Sequence, residues 1–505
     1  MSNTDVNYII VQAGGKGTRM EYLTYNKPKA LVPIENLPML FHLFRKYNEA
    51  HFIVIGDYKY EVLEKYLQAF AEVDYHLVDA RGKKGTCAGI RDALDFIPEA
   101  SPFMLIWSDL ILPKEYKMPV ADKDYVGISK DFRCRWSYKD EKFAEEPSED
   151  QGVAGHFIFT DKNKVSDVPV EGEFVRWLQS KEMIMEEYPL YRTKEYGLLS
   201  EYQKLTGSRC RPFNRITVDG DKIIKEGIDE QGRALAVREN AWYQKVKEEN
   251  FKNVPKIYST NPIVMEKVDG KNIFEYDLSL EEKKNVLNQL VECIHEIHNL
   301  EGCETDKDSF YDAYIGKTFK RLEKVEELVP FAKDEYITIN GRKCKNVFYC
   351  KEELEDAVMK YLPKEFRLLH GDCTFSNMML KNGTTPVMID PRGYFGTTEL
   401  YGDPAYDWVK LYYSLVGNYD QFNLKRFRLQ IEETEVNLEI ESNHWEDVEN
   451  EFFRLLGDEV TPAQMKLLHS IIWLSLTTYA WEDYDSICGA FYNGLLYLTD
   501  YFEEV

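Results

Sequence analysis

Leu368–Gly393 reads LLHGDCTFSNMMLKNGTTPVMIDPRG, and four functional groups fall within it at spacings that suit work on phosphates. His370-Gly371-Asp372 puts a carboxylate in a glycine-bent loop. Asn377 follows with an amide, and Asp390 closes the apolar run Pro386-Val387-Met388-Ile389 with a second carboxylate at a strand end. Moving a phosphoryl group asks little covalent help from a protein. It needs a base that orients a hydroxyl and oxygens that hold magnesium on the phosphates. Alone, Asp372 would read as a turn residue and Asp390 as a strand cap, so the combination carries the reading.

The stretch resembles the choline kinase and aminoglycoside phosphotransferase family, in which HGDxxxxN and a following IDxxG carry the reaction. The resemblance implies Asp372 as base and Asn377 and Asp390 as Mg²⁺ ligands, with His370 in support. Gly402-Asp403-Pro404-Ala405-Tyr406-Asp407-Trp408 resembles the family's following segment and implies Asp407 as the aspartate that steadies the catalytic loop. Upstream, Ile216–Lys225 reads as a hairpin around Asp219-Gly220. Glu239 lies in the helical stretch AVRENAWYQKV. A strand lysine aimed at ATP phosphates needs an anionic anchor, which pairs Lys225 with Glu239. Val264–Gly270 is then the hinge, where backbone groups of Glu266 and Val268 hold the adenine.

His295 and His298, one turn apart in the amphipathic stretch Leu278–Leu300, lack a third ligand and read as packing or surface residues. Tyr336–Gly341 and Lys345–Tyr349 predict a hairpin at Asn340-Gly341. Residues 409–505 read as helical, acidic and aromatic. Within them, Tyr479-Ala480-Trp481-Glu482-Asp483-Tyr484 stays open between a site for a cationic head group and ordinary packing.

At the other end, the strand pattern NYIIVQA breaks into Gly14-Gly15-Lys16-Gly17-Thr18-Arg19. Glycines let backbone N–H groups approach a polyphosphate, and a following helix N-terminus favours its charge. The loop lacks the Walker pattern and the third glycine of a dinucleotide fingerprint. With Pro28-Lys29-Ala30-Leu31-Val32-Pro33-Ile34, it resembles the nucleotidyltransferase signature GGxGTR then PKxLVPI. The resemblance implies that Gly14, Gly15, Gly17 and Thr18 wrap a triphosphate, and that Arg19 and Lys29 offset the charge of departing pyrophosphate. By the same resemblance Gly85-Thr86-Cys87-Ala88-Gly89 meets the base, and Asp109, ending the apolar run Phe103–Trp107, holds Mg²⁺.

Members of that family carry a second metal-binding aspartate where this chain has Gly197. Three readings stay open: Glu195 reaching the same ion, a site with one protein carboxylate, or an impaired domain. Gly172-Glu173-Phe174-Val175 resembles a segment of phosphocholine-type cytidylyltransferases and suggests an acceptor pocket there. HFIVIGD and YHLVDA, alternating with the helical segment Tyr60–Phe70, argue for a doubly wound parallel sheet.

A chain of 505 residues has room for two or three domains. Its 63 Lys+Arg against 87 Asp+Glu leave a net charge of −24, which disfavours binding to nucleic acid as a whole. The nine cysteines form no CxxC pair, and neither a leader nor an apolar run of membrane-spanning length is evident, so a reducing cytoplasm is expected.

Together these readings predict an α/β chain with two domains. Residues 1–207 form a doubly wound, Rossmann-like nucleotidyltransferase domain. Residues 208–505 form a protein-kinase-like α+β phosphotransferase domain, with lobes at about 208–270 and 271–505. The order resembles bacterial proteins that join phosphocholine cytidylyltransferase to choline kinase and supply head groups for surface glycans and lipids. The resemblance implies ATP, CTP and Mg²⁺, with a small alcohol and its phosphomonoester as substrates. A sugar kinase fused to a sugar-1-phosphate transferase, a kinase with an impaired first domain, and a non-catalytic scaffold remain as competitors.

Overall fold

The computed structural model describes residues 5–205 and 214–504. The chain divides into two compact units, residues 1–208 with 482–484, and residues 209–481 with 485–505. The junction expected at 207/208 lies outside the described residues, as does Cys210.

In the first unit Tyr8–Gln12 is the central strand of a nine-stranded sheet. It pairs in parallel with His51–Gly56 on one side and with Phe103–Trp107 on the other. Tyr75–Asp79 adds a fourth parallel strand beside His51–Gly56. The three inner strands are apolar in nearly unbroken runs because both faces are covered, whereas the edge strand Tyr75–Asp79 is largely exposed. Ile10, Ile53, Ile55 and Leu105 pack with Phe157, Phe174 and Leu178. Ile9, Val11, Phe52 and Val54 are equally buried, and the Phe52 ring meets Phe44 of helix Met39–Lys46. Helix Tyr60–Phe70 stands where the sequence places it.

The parallel half follows the expected doubly wound order, and the second half of the sheet is mixed. Gly152–Phe159 runs antiparallel to Phe103–Trp107 and to Tyr125–Ser129. Glu186–Leu190 then pairs in parallel with Tyr125–Ser129. The order of the parallel strands reverses direction at Tyr8–Gln12 and Phe103–Trp107, the crevice where open α/β sheets bind ligands. Both the glycine loop and Asp109 follow strands that end there.

The second unit opens on an antiparallel sheet of Asn214–Asp219, Lys222–Gly227, Ile263–Glu266 and Ile257–Thr260. Helix Glu230–Glu248 follows, its first turn capped by the Asp229 carboxylate accepting from Gly232 N. Beyond it, helix Leu280–Leu300 starts in a capping box of Ser279 and Glu282. The hairpin Met378–Lys381/Thr385–Met388 carries the central stretch of the sequence. Helix Pro404–Leu415 starts at Asp403 with proline in its first turn.

Residues 409–505, expected to be helical, also contain a β-hairpin of Phe427–Ile431 and Val436–Ile440. Its side chains alternate apolar and polar, a period of two that the acidic composition masked. A hairpin does form at Asn340-Gly341, but its second strand is Arg342–Lys345, and Val347–Tyr349, expected in that strand, is a 3₁₀ turn; Phe427–Ile431/Val436–Ile440 extends the hairpin into a four-stranded sheet.

Candidate active sites

In the first unit the carbonyls of the glycine loop are engaged from outside. Gly14 O accepts from Tyr58 N, Gly15 O from Lys29 N, and Gly17 O from Met20 N. Gly14 has no room for a side chain, since a Cβ there would stand 2.8 Å from the backbone nitrogen of Asp57. Gly17 adopts φ 64, which leads the chain into the 3₁₀ turn Thr18–Thr24 that carries Thr18 and Arg19. The Lys29 ammonium is ion-paired to Asp109 Oδ2. Asp109 Oδ1 is buried and has no hydrogen-bond partner.

Backbone pairing brings Glu195 up to the strand that follows Asp109. Lys194–Glu195 runs antiparallel to Leu110–Ile111, with Glu195 opposite Leu110, and Tyr196 N donates to Asp109 O at 3.1 Å. A Cβ on Gly197 would fall 2.6 Å from Glu195 Oε1 and 3.0 Å from Arg19 Nη2. The Glu195 carboxylate thus fills the space that a carboxylate at 197 would take. Burial and then the Asp109 charge push Glu195 above the usual carboxylate range. Such a pair suits a divalent cation, as the orphaned Asp109 oxygen does. Among the described residues, no group of three or more His, Cys, Asp or Glu side chains forms a ready metal cage.

Gly85 and Thr86 reach the same crevice. The Gln12 side chain donates to Thr86 O at 2.7 Å, and Thr86 Oγ1 accepts from Phe174 N at 2.8 Å. Cys87 N donates to Gly172 O, and Gly172 N to Lys84 O. The loop expected at the base and the segment expected at the acceptor are therefore one packed unit.

In the second unit Lys225 is held between two carboxylates, 2.8 Å from Glu239 Oε2 and 2.8 Å from Asp390 Oδ1. These partners outweigh its burial and raise the ammonium above the usual lysine value. Burial pushes Glu239 up to about 7, with the Asp390 charge adding to it against the pull of Lys225. Asp390 has φ 55, a backbone conformation uncommon outside glycine and typical of functional turns. Ile389 N donates to Asn377 O at 2.9 Å, which closes the hairpin and sets Asn377 beside Asp390.

Asn377 spends its amide nitrogen on Asp372, at 2.7 Å from Oδ2 and 3.0 Å from the backbone oxygen. That leaves its amide oxygen for a cation, alongside the Asp390 oxygen not bound to Lys225. His370 Nε2 donates to Ile389 O at 3.0 Å, and its Nδ1 accepts from Asp372 N at 3.3 Å. Burial lowers its pKa, so it is a neutral strut. Asp407 is fully buried and accepts from His370 N at 2.9 Å and Gly371 N at 2.7 Å.

At the hinge, Glu266 is committed elsewhere. Its carboxylate takes Lys381 Nζ at 2.6 Å and Lys256 N at 3.2 Å. Its backbone N–H is spent as well, donating to Lys256 O at 2.8 Å, so of the two expected hinge residues it is Val268, in the segment between Ile263–Glu266 and Gly270–Asn272, whose backbone groups remain for a nucleotide.

Three residues of the site escaped the sequence reading. His298, taken for packing, donates to Asp407 Oδ2 at 3.2 Å. Lys410 is 3.0 Å from Asp372 Oδ1. Arg392 donates to Tyr406 Oη at 2.6 Å and Tyr394 Oη at 2.8 Å, beside Gly371. Burial pushes Asp372 up, but Lys410 and Arg392 prevail and hold it below the usual carboxylate range. The segment 479–484, read as a possible cation box, is split, since Glu482–Tyr484 group with the first unit.

Residues 9–118 match the model of the MobA-like NTP transferase domain, and residues 217–433 that of the phosphotransferase enzyme family. The first region is similar to the bifunctional protein GlmU of Methanococcus maripaludis, 28% identical over 124 residues, which are 24% of this chain and 29% of the relative. It is also similar to the UTP–glucose-1-phosphate uridylyltransferase AglF of Haloferax volcanii, 32% identical over 106 residues, 20% of this chain and 43% of the relative. A glucose-1-phosphate cytidylyltransferase of Salmonella typhimurium is 21% identical over 262 residues, covering 45% of this chain and 96% of the relative. The chain spans less than half the length of the first two relatives. It joins an N-terminal MobA-like NTP transferase domain to a C-terminal domain of the phosphotransferase enzyme family.

Proposed function

We propose that the chain is a bifunctional enzyme that phosphorylates a small alcohol with ATP and then transfers a nucleotidyl group to the phosphomonoester, releasing pyrophosphate. The observation that carries this reading is a repeated pairing. In each unit a carboxylate just beyond a strand end, Asp109 or Asp390, holds a lysine delivered by a separate element.

In the second unit Asp372, kept ionised by Lys410 and Arg392, accepts the hydrogen bond of the incoming hydroxyl and takes its proton as the new O–P bond forms. Asn377 fixes the carboxylate from the other side. Lys225 neutralises phosphate oxygens while Glu239 keeps it aimed. In the first unit Lys29 and Arg19 offset the charge of the leaving pyrophosphate, and the loop of Gly14, Gly15, Gly17 and Thr18 cradles the triphosphate. Mg²⁺, held by Asn377 and Asp390 in one site and by Asp109 and Glu195 in the other, would supply charge neutralisation on the transferred phosphorus groups.

For the nucleotide we propose CTP, in line with the name of the cytidylyltransferase relative. The acceptor implied by the resemblance is choline-like, feeding surface glycan or lipid head-group synthesis in the cytoplasm, where the eight free cysteines among the described residues would stay reduced. A sugar acceptor is the second reading. Two of the relatives above are named for glucose 1-phosphate, which favours it. Among the described residues no helix is long and apolar enough to cross a membrane.

The test incubates the protein with ATP, each of the four common NTPs, Mg²⁺ and a pool of small alcohols, and follows products by mass spectrometry. Asp372→Asn should abolish alcohol phosphorylation and spare pyrophosphate release. Lys29→Ala should do the reverse. A protein in which neither variant changes either product is not this enzyme.

A further inference from the structure

Four basic side chains gather near Tyr406, two of them beside Asp372, in a protein whose net charge is −24. Helix Lys317–Val325 delivers Lys317 and Arg321 from successive turns of one face. Helix Pro404–Leu415 delivers Tyr406 and Lys410 in the same way. Arg392 completes the group. Lys317 Nζ, Lys410 Nζ and Arg392 Cζ all lie within 6 Å of the Tyr406 ring centre, at 5.9, 5.9 and 5.8 Å. Arg321 lies 5.7 Å over Tyr479 and donates to Ser475 O. The five-residue π-helix Asp312–Gly316 leads directly into Lys317, a distortion that recurs at functional sites.

The charge of this group is only partly compensated, by Asp372 near Arg392 and by Asp312 near Lys317. Lys410 has Asp372, but among the described residues no carboxylate lies within ion-pair distance of Lys317, Arg321 or Arg392. Burial, then the charges of Arg392, Arg321 and Lys410, push the Lys317 ammonium well below its usual value. All four side chains are half-buried and so remain within reach of a small solute. Nor do they belong to the ATP phosphates. Asp372 turns Oδ2 to Asn377, on the side of Asp390 and Lys225, and Oδ1 to Lys410, on the side of the cations. The carboxylate stands between the two.

From this placement we infer that the alcohol phosphorylated at Asp372 carries an oxyanion of its own, a phosphate or carboxylate, bound by Lys317, Arg321 and Arg392. Two guanidinium forks and an ammonium match such a group and repel a quaternary ammonium. The inference rests on the kinase reading above and departs from it on the acceptor. The acceptor hydroxyl oxygen bonds to the γ-phosphorus of ATP, the bond from that phosphorus to the β–γ bridging oxygen breaks, ADP leaves, and the proton passes to Asp372.

The test measures ATP-dependent phosphorylation by the full chain of choline and ethanolamine, of glycerol and glucose, and of glycerol 3-phosphate, glycerate and glucose 6-phosphate. It also measures binding of the same compounds, and of inorganic phosphate, by calorimetry with a non-hydrolysable ATP analogue present. The anionic members should exceed their neutral analogues at least tenfold in kcat/KM or in affinity, and phosphate against carboxylate separates the two oxyanions. Arg321→Gln should raise the KM or Kd of the anionic ligand at least tenfold and leave the ATP KM unchanged. Lys320→Gln, on the exposed side of the same helix, should change neither. Preference for choline or glycerol overturns the inference and leaves the kinase reading standing, as does equal anion binding by wild type and Arg321→Gln. If ADP formation is the same in wild type and Asp372→Asn with every compound, the kinase reading itself falls.

Discussion

Replacing Asp407 by asparagine isolates what holds the catalytic loop in shape. Asp407 Oδ1 accepts from Gly371 N at 2.7 Å, and Oδ2 accepts from His370 N at 2.9 Å and His298 Nε2 at 3.2 Å. Asparagine keeps one oxygen, so its amino group must face either Gly371 N–H or the two donors at Oδ2. At least one charge-assisted bond is lost, worth about 1.5–3 kcal/mol, and a buried donor is left without a partner, at about 1–3 kcal/mol more. The expected loss of stability is about 3–5 kcal/mol. Because the two amides belong to the residues just before Asp372, a shift of about 1 Å in the base follows, and misplacements of that size cost about 100-fold in rate. Coupled assays of ADP release, run well below the melting temperature, should show kcat reduced about 100-fold. The ATP KM should change little, since Lys225, Glu239 and Asp390 are held by other contacts. His298→Gln, which disturbs only the longest bond, should cost about 1 kcal/mol and a correspondingly smaller part of kcat. A Tm lowered by several degrees with kcat intact would refute the positioning role and leave Asp407 a purely structural residue.

Further outcomes follow from other contacts. Gly197→Ala brings a methyl to 2.6 Å from Glu195 Oε1, the free end of a flexible side chain, so it should displace that carboxylate. Pyrophosphate release should fall several-fold with Tm nearly unchanged, and Glu195→Gln should do likewise; normal release in both variants removes Glu195 from the site. Trp242 donates its indole N–H to Leu369 O at 2.7 Å in a fully buried position, so Trp242→Phe should cost about 1–3 kcal/mol in chemical denaturation. Burial lifts Asp403 to about 7, against its hydrogen bonds from Tyr314 and Ala405. Its unfolded value is near 4, so the folded state holds the proton more tightly and stability declines as pH rises from about 4 to 7. Asp403→Asn carries no such proton, and the Tm advantage of wild type over it should shrink from pH 5 to pH 8; a constant difference would show that Asp403 does not titrate there.

What the sequence disclosed about this chain was the part written locally. The strands at Tyr8–Gln12, His51–Gly56 and Phe103–Trp107 announce themselves as apolar runs, and the glycine loop and Asp109 follow two of them directly. Lys225 and Glu239 were paired because a strand and the next helix bring them together in 14 residues. The position of Glu195 was not legible along the chain, because it depends on Glu195 standing opposite Leu110 across a strand pair. His298 was passed over as a packing residue, since its partner Asp407 lies 109 residues away.

The electrostatics of the second site was the least legible of all. Counting charges gives an acidic chain, and that count is right for the surface as a whole. A site, however, feels the charges brought within a few ångströms of it, where burial weakens screening by solvent and salt. Lys317 and Arg321 come from one helix, Lys410 from another, and Arg392 from the loop after Asp390. Each is unremarked among neighbours of both signs in the linear chain. One clue did lie in plain view, since Arg392 stands inside the quoted stretch, two residues past Asp390. A guanidinium so close to a base is costly to bury unless an anion answers it. The one carboxylate the fold brings to this group, Asp372, already pairs with Lys410 and answers part of the charge. On the inference drawn above the rest is answered by an anionic substrate, so the charge of the acceptor, more than its carbon skeleton, is what the comparison of acceptors has to vary.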